Sequence, residues 1–233
     1  MLVAAGLMAL VICGLALLLR PDDPTYETRV GQQKIVTLAD GSHVTLNTAS
    51  KLLVSYRRGE RRVRLARGEA LFEVAKNPSR PFSVQIGDAR VRALGTTFMV
   101  RAGPGSTAVT LLEGSVEVAK ARPMERVRAL AVLKPGERFT LAGADTGVLD
   151  RPGIGTVTAW RRGQVIFDDV SLAAAAAEMN RYSENRIAVD RAVGAMRVSG
   201  AFRYNDLKEF GEAVAKLHNL NLRQEGVTFT LQR

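Results

Sequence analysis

Between Ile35 and Leu149 apolar residues recur at every second position, and a period of two leaves little room for anything but β-structure. The stretch VTLADGSHVTLN sets Val36 and Leu38, then Val44 and Leu46, on either side of Asp40-Gly41. That dipeptide favours the positive-φ geometry of a tight hairpin. LLVSY and RRVRLARGEALFEV continue the alternation across an Arg58-Gly59-Glu60 turn. FSVQI, RVRAL, TFMVR, AVTLLEGSVEVA and ERFTL follow, each set off by Gly, Pro, Asp or Asn. Short strands at this spacing, with no helical pattern between them, predict an all-β sandwich, barrel or solenoid over residues 25–150. Periodicity does not choose among the three.

After DRPGIGT (Asp150–Thr156), a Pro/Gly-rich candidate linker, the pattern changes. QVIFDDV reads as a strand, and Ser171 is placed to cap a helix over LAAAAAEMNRY. RIAVD and RVSGAFR read as strands. A second helix begins at Asn205 or Asp206, where Asp206 and Glu209 have the spacing of a capping box. Its Leu207, Phe210, Val214 and Leu217 fall on one face, which reads as core. LNLRQ and VTFTLQR close the chain. Residues 157–233 are therefore expected to form a small α/β domain of two strand–helix–strand units.

The run from Leu2 to Leu19 is uncharged and apolar. As a helix it would span roughly 27 Å, close to a bilayer's hydrocarbon thickness. No basic segment precedes it and no small-residue cleavage site follows, so residues 1–20 read as an uncleaved membrane anchor and not as a signal peptide. The lone Arg20 on its C-terminal flank would, by charge alone, leave the following domains in the cytoplasm. The single cysteine, Cys13, lies within the run, so no disulfide forms inside this chain.

A net charge of +10 suggests anionic partners or simply an arginine-rich solvated surface. The basic knot at Arg57–Gly68 carries no aromatic neighbour except Tyr56, which argues against a platform for single-stranded nucleic acid. A DNA-binding β domain is further opposed by the anchor. His43 and His218 are the only histidines, and both read as surface or packing residues. No His/Cys cluster has metal-ligand spacing, and no nucleophile-elbow or phosphate-loop motif occurs. Neither a metal, a cofactor nor conventional enzyme chemistry is expected.

Four stretches in one order resemble the FecR family of anti-sigma factors and transmembrane signal regulators. They are LADGSHVTLNTASKLLVSY (Leu38–Tyr56), RRVRLARGEALFEVAKNPSRPFSV (Arg61–Val84), VRALGTTFMVR (Val91–Arg101) and VTLLEGSVEV (Val109–Val118). The tail, WRRGQVIFDDVSLAAAAAEMNRYSENRIAVD with RVSGAFRYNDLKEF, is similar to the short domain at the N-termini of secretins and of TonB-dependent transducers. The resemblance implies a single-pass inner-membrane protein with its main domains in the periplasm, which overrules the reading of Arg20. It also implies a partner, the N-terminal signalling domain of an outer-membrane TonB-dependent receptor. The signal would pass to an extracytoplasmic-function sigma factor and regulate functions such as iron uptake. Family members hold the sigma factor through a cytoplasmic N-terminal region absent here, so the sensing half alone is carried over. The alternative, suggested by the tail, is an envelope-assembly protein that docks a secretin.

In some members of the family the periplasmic domain cuts itself between a glycine and a threonine of this motif. The resemblance therefore carries a scissile-bond role onto Gly95 and Thr96. A threonine hydroxyl is a competent nucleophile once activated, and a glycine tolerates strained backbone beside the carbonyl. The plainer alternative is a glycine bulge ahead of two β-branched residues that favour strand.

Overall fold

The computed structural model describes residues 23–121, 127–142 and 146–233. The apolar run at residues 2–19 and Cys13 lie outside them. Among the described residues no helix is long and apolar enough to cross a membrane.

In chain order the first domain has β1 (Thr25–Glu27), β2 (Lys34–Thr37), β3 (His43–Leu46), β4 (Lys51–Tyr56), β5 (Arg61–Glu73), β6 (Phe82–Ile86) and β7 (Ala89–Ala93). It continues with β8 (Thr97–Gly103), β9 (Ser106–Glu113), β10 (Val116–Lys120), β11 (Arg128–Leu133), β12 (Arg138–Ala142) and β13 (Thr146–Asp150). All thirteen belong to one sheet. The long β5 is the reason. Its first half pairs with β4 and β6, and its second half pairs with β3 and β8. The sheet thus folds over on itself through a single strand and becomes nearly closed and barrel-like.

Of the three architectures that alternation allows, this one differs from both a solenoid and a sandwich. A solenoid would stack parallel coils, yet β5–β6 is the only parallel pairing among these thirteen strands. Two separate layers would need a break in the hydrogen-bond path, and β5 closes it. The bend in β5 falls at Gly68, whose φ of +86° suits glycine. A Cβ there would lie 2.2 Å from Ser50 Oγ, so the crossing needs a residue without one.

Inside, Leu46, Leu52, Leu65, Phe72, Phe82, Phe98 and Leu111 are fully enclosed, with Phe72 stacked on Phe98 at 5.2 Å. The Asp40-Gly41 hairpin forms as expected, and Asp40 also accepts hydrogen bonds from the Tyr56 hydroxyl (2.8 Å) and the Arg61 guanidinium (2.6 Å). Arg61 is wholly buried, whereas Arg62 and Arg64 alternate outward beside inward Val63 and Leu65. The basic knot is therefore one face of a strand. Arg57, Arg62 and Arg67 pair with Asp23, Glu60 and Glu27.

The remainder opens with a short helix α1 (Ile154–Val157), inside the stretch expected to be linker, and a 3-10 turn (Ala159–Arg162) that buries Trp160. Then come β14 (Gln164–Ser171), α2 (Leu172–Met179), β15 (Arg186–Val189), β16 (Arg197–Arg203), α3 (Leu207–His218), β17 (Asn221–Glu225) and β18 (Thr228–Gln232). Both caps form: Ser171 Oγ accepts from the Ala174 amide (3.2 Å), and Asp206 from the Glu209 amide (2.9 Å). The Glu209 carboxylate pairs with Arg203 and does not complete a capping box. The strands do not pair within their units. β14 pairs with β16, and β15 runs parallel to β18, so the two units interlock. Leu207, Phe210 and Val214 are buried, but Leu217, in the last turn of α3, stays 64% exposed.

Candidate functional site

Gly95 and Thr96 form the irregular turn that feeds β8. The turn is pinned on both sides by the segment leaving β5. The Val74 amide donates to the Thr96 carbonyl (3.0 Å) and the Asn77 amide to the Leu94 carbonyl (3.1 Å). Gly95 has φ +151°, and a Cβ on it would sit 2.9 Å from Lys76 Cα. Only glycine fits. Thr96 is buried (6% exposed), and its Oγ1 has no hydrogen-bond partner. A buried hydroxyl without a partner forgoes the hydrogen bonds it would make in water. A buried hydroxyl without a partner and a backbone conformation open only to glycine thus sit side by side at this bond.

A cleft opens over this turn, lined by His43, Glu73, Thr97 and Glu113 as well as by Gly95 and Thr96. Those four stand in register across β3, β5, β8 and β9: His43 opposite Glu73, Glu73 opposite Thr97, and Thr97 opposite Glu113. Direct opposites share one face, so the row borders the turn along its length. His43 therefore shares the cleft with Thr96 but stands two strands away from Thr97. Its ring Nδ1, however, is hydrogen-bonded to Thr37 Oγ1 at 3.1 Å and not to Thr96. The β8–β9 ladder slips by one residue between Thr97 and Phe98, with Leu112 as the extra residue on β9, whereas Gly95 itself lies in the turn before β8. His218 ends α3 and meets the Arg197 carbonyl at 3.1 Å, away from the cleft.

The second feature is a seam between the domains, whose residues were not singled out from sequence. On β5, Glu69 and Leu71 point outward from the barrel, toward the α/β domain. Leu71 and Met99 join the α/β core around Trp160, and the indole N–H is 3.3 Å from Met99 Sδ. Glu69, 3% exposed, accepts from Arg181 (2.8 Å) and from Asn47 Nδ2 (2.8 Å). Arg181 also reaches Glu178 (2.5 Å), which meets Arg101 on β8 (2.6 Å). Burial by itself would disfavour the Arg181 charge, but Glu69 and Glu178 more than offset it and hold its pKa above the ordinary arginine value. Burial, with Glu69 close by, raises the Tyr182 hydroxyl. Tyr182 accepts from Asn47 and stacks on Tyr204 at 4.4 Å, and Tyr204 accepts from Gln33 Nε2. A cavity of about 280 Å³ opens beside this seam, with Met99, Trp160, Ile166, Arg101 and Arg138 in its walls.

From sequence, Glu69 in an alternating strand looks like a solvent-facing carboxylate. The lone tryptophan, just after the linker, is the one residue whose bulk could have pointed to packing of the tail against the β domain. Among the described residues no group of His, Cys, Asp and Glu side chains could hold a metal ion.

Residues 24–117 match the family model described as FecR protein. No curated protein matches the chain. Two crystal structures from Parabacteroides distasonis ATCC 8503, each described as a "putative anti-sigma factor", share the fold. One superposes with a TM-score of 0.76 at 24% identity, covering 90% of this chain and 99% of that one. The other gives 0.75 at 24%, covering 90% and 98%. At that identity the likeness is one of fold.

Proposed function

With residues 24–117 belonging to the FecR family, we propose that this chain is the sensing part of a single-pass inner-membrane regulator. FecR membership carries a regulatory signalling role. The finer reading is that the described domains lie in the periplasm, receive a signal from the N-terminal signalling domain of an outer-membrane TonB-dependent receptor, and pass it to an extracytoplasmic-function sigma factor. The observation that carries it is the seam. The α/β domain is sealed onto the FecR barrel by an ion pair and an apolar core, so a partner engaging one domain loads both. The fold neighbours described as anti-sigma factors agree with this reading.

The test uses the full chain in detergent as bait for outer-membrane extract, read by mass spectrometry. Recovery of a TonB-dependent receptor supports the signalling reading, and recovery of a secretin favours the envelope-assembly alternative. Recovery of neither by folded bait sinks both.

The same reading includes one covalent event, cleavage of the chain by its own Thr96. The hydroxyl oxygen adds to the Gly95 carbonyl carbon. As the carbon–nitrogen bond breaks, the hydroxyl proton passes to the departing nitrogen, which becomes the free amine of Thr96. The Gly95 acyl group is then an ester on Thr96 Oγ. Water adds to that ester, leaving a Gly95 carboxylic acid and regenerating the hydroxyl. Support comes from the orphaned Thr96 Oγ1 beside the glycine-only backbone at Gly95. Continued cutting at this bond in Thr96→Ala removes the idea.

A further inference from the structure

The geometry points to Gly114 as a positioning residue for the Gly95–Thr96 bond, an inference that rests on the self-cleavage reading. Gly114 follows β9 directly, in the turn opposite the scissile segment, with φ +88°. A Cβ built on it would lie 2.7 Å from Thr96 Cγ2, 3.2 Å from Thr96 Cβ and 3.3 Å from the Gly95 carbonyl oxygen. Those atoms are the nucleophile's own side chain and the oxygen of the carbonyl it attacks. On the other side, Lys76 closes against Gly95 at 2.9 Å from where a Cβ would be.

The scissile unit is thus held between two walls while Val74 and Asn77 fix the carbonyls before and after it. Gly114 is the wall that touches both reacting partners. Lys76 stands behind the turn, two hydrogen bonds hold the Leu94 and Thr96 carbonyls, and the open side faces the cleft. A carbon on Gly114 displaces Thr96 relative to the Gly95 carbonyl. Comfortable carbon–carbon contact begins near 3.5 Å, so the required shift is of order 1 Å. A misplacement of that size costs up to about a hundredfold in rate.

Strain alone would be a rival explanation for a damaged Gly114→Ala protein, because alanine is disfavoured at positive φ. Two further substitutions separate them. Gly136 has φ +86° and nothing within 4 Å of its missing Cβ, so Gly136→Ala imposes the same strain without an obstruction. Thr96→Ser keeps the nucleophilic oxygen and removes Cγ2, the atom that the new carbon would strike first.

The experiment follows the full chain, synthesised cell-free into detergent micelles, for the appearance of fragments 1–95 and 96–233 by gel and intact mass. Hydroxylamine is added in a parallel series to capture the ester as a Gly95 hydroxamate, and thermal melts accompany each variant. Cleavage of the native sequence that Thr96→Ala abolishes upholds the underlying reading. Absence of cleavage, or persistence in Thr96→Ala, overturns that reading and this inference with it. With the reading upheld, Gly114→Ala is expected to slow cleavage and hydroxamate formation by about ten- to a hundredfold. Gly136→Ala is expected to cut at the native rate, and Gly114→Ala/Thr96→Ser to return to the rate of Thr96→Ser. Native-rate cleavage in Gly114→Ala, no rescue by Thr96→Ser, or equal slowing in Gly136→Ala overturns the assignment and leaves self-cleavage standing.

Discussion

Replacing Arg181 with methionine tests whether the seam holds the two domains together. The substitution keeps the aliphatic stem and removes the guanidinium, with its contacts to Glu69 at 2.8 Å and Glu178 at 2.5 Å. Glu178 retains Arg101, but Glu69, 3% exposed, is left with Asn47 as its remaining side-chain donor. Breaking a buried pair from one side typically costs about 3–5 kcal/mol, because the other charge stays buried without compensation. For a chain of this size each kcal/mol lowers the melting temperature by about 2–4 °C, which predicts a drop of about 6–20 °C. Trp160 is the only tryptophan and packs on Met99 across the seam, so its fluorescence reports this contact directly. Urea unfolding is followed at Trp160 and by far-UV circular dichroism. Glu69→Leu/Arg181→Met removes the stranded charge and should recover a substantial part of the loss. A single-mutant cost below about 1 kcal/mol, or a double mutant equal to the sum of the singles, refutes the argument.

Three further outcomes follow from the same geometry. Asp40 is partly buried, which by itself raises its pKa, yet hydrogen bonds from Ser42, Tyr56 and Arg61 together hold it below the ordinary 3.8. Its contribution to stability is therefore complete above about pH 4 and lost as pH falls through the lower folded value. Asp40→Asn should flatten that acid limb of melting temperature against pH, and an unchanged limb contradicts the assignment. Gly68→Ala combines positive-φ strain with a Cβ 2.2 Å from Ser50 Oγ, and should cost about 2–6 kcal/mol in urea unfolding. A chain cut at Gly95–Thr96 keeps the β5–β8 and β7–β10 ladders, each of which joins one fragment to the other. The fragments should co-elute in native size-exclusion chromatography and part only in denaturant.

The β-domain was legible because alternation is a local signal: every inward residue of β5 is apolar except Arg61, and the turns carry Gly, Asp or Pro apart from Asn47–Ser50, where Ala49 takes the positive φ. Closure of the sheet was not, since the sharing of β5 between two sets of partners depends on contacts far apart in sequence. The α/β tail gave up its helices and caps for the same local reasons. Its interlocked pairing is again long-range, and β15 finds a parallel partner only in the last strand, β18. The Gly95–Thr96 motif was visible as letters, but the missing hydrogen bond on Thr96 Oγ1 and the approach of Gly114 exist only in three dimensions. Glu69 shows the limit most plainly. A carboxylate at an outward position is ordinarily solvated, and only the docking of Arg181, over a hundred residues later, turns it into a buried partner.

β5 also ties the two features to one strand. Glu69, Leu71 and Glu73 alternate on its outer face: the first two lie under the α/β domain, and the third borders the cleft over Gly95 and Thr96. Successive residues on one face of a strand are about 7 Å apart. The next residue, Val74, donates the hydrogen bond that fixes the Thr96 carbonyl. Lifting the α/β domain from this face would therefore uncover Glu69 and Leu71 and remove packing two positions from the turn. Arg181→Met, which loosens the seam without touching the turn, separates two cases. A changed rate of Gly95–Thr96 cleavage in that variant means that the seam and the turn respond together. An unchanged rate, with the seam demonstrably loosened at Trp160, means that β5 holds the turn independently of what is docked on it.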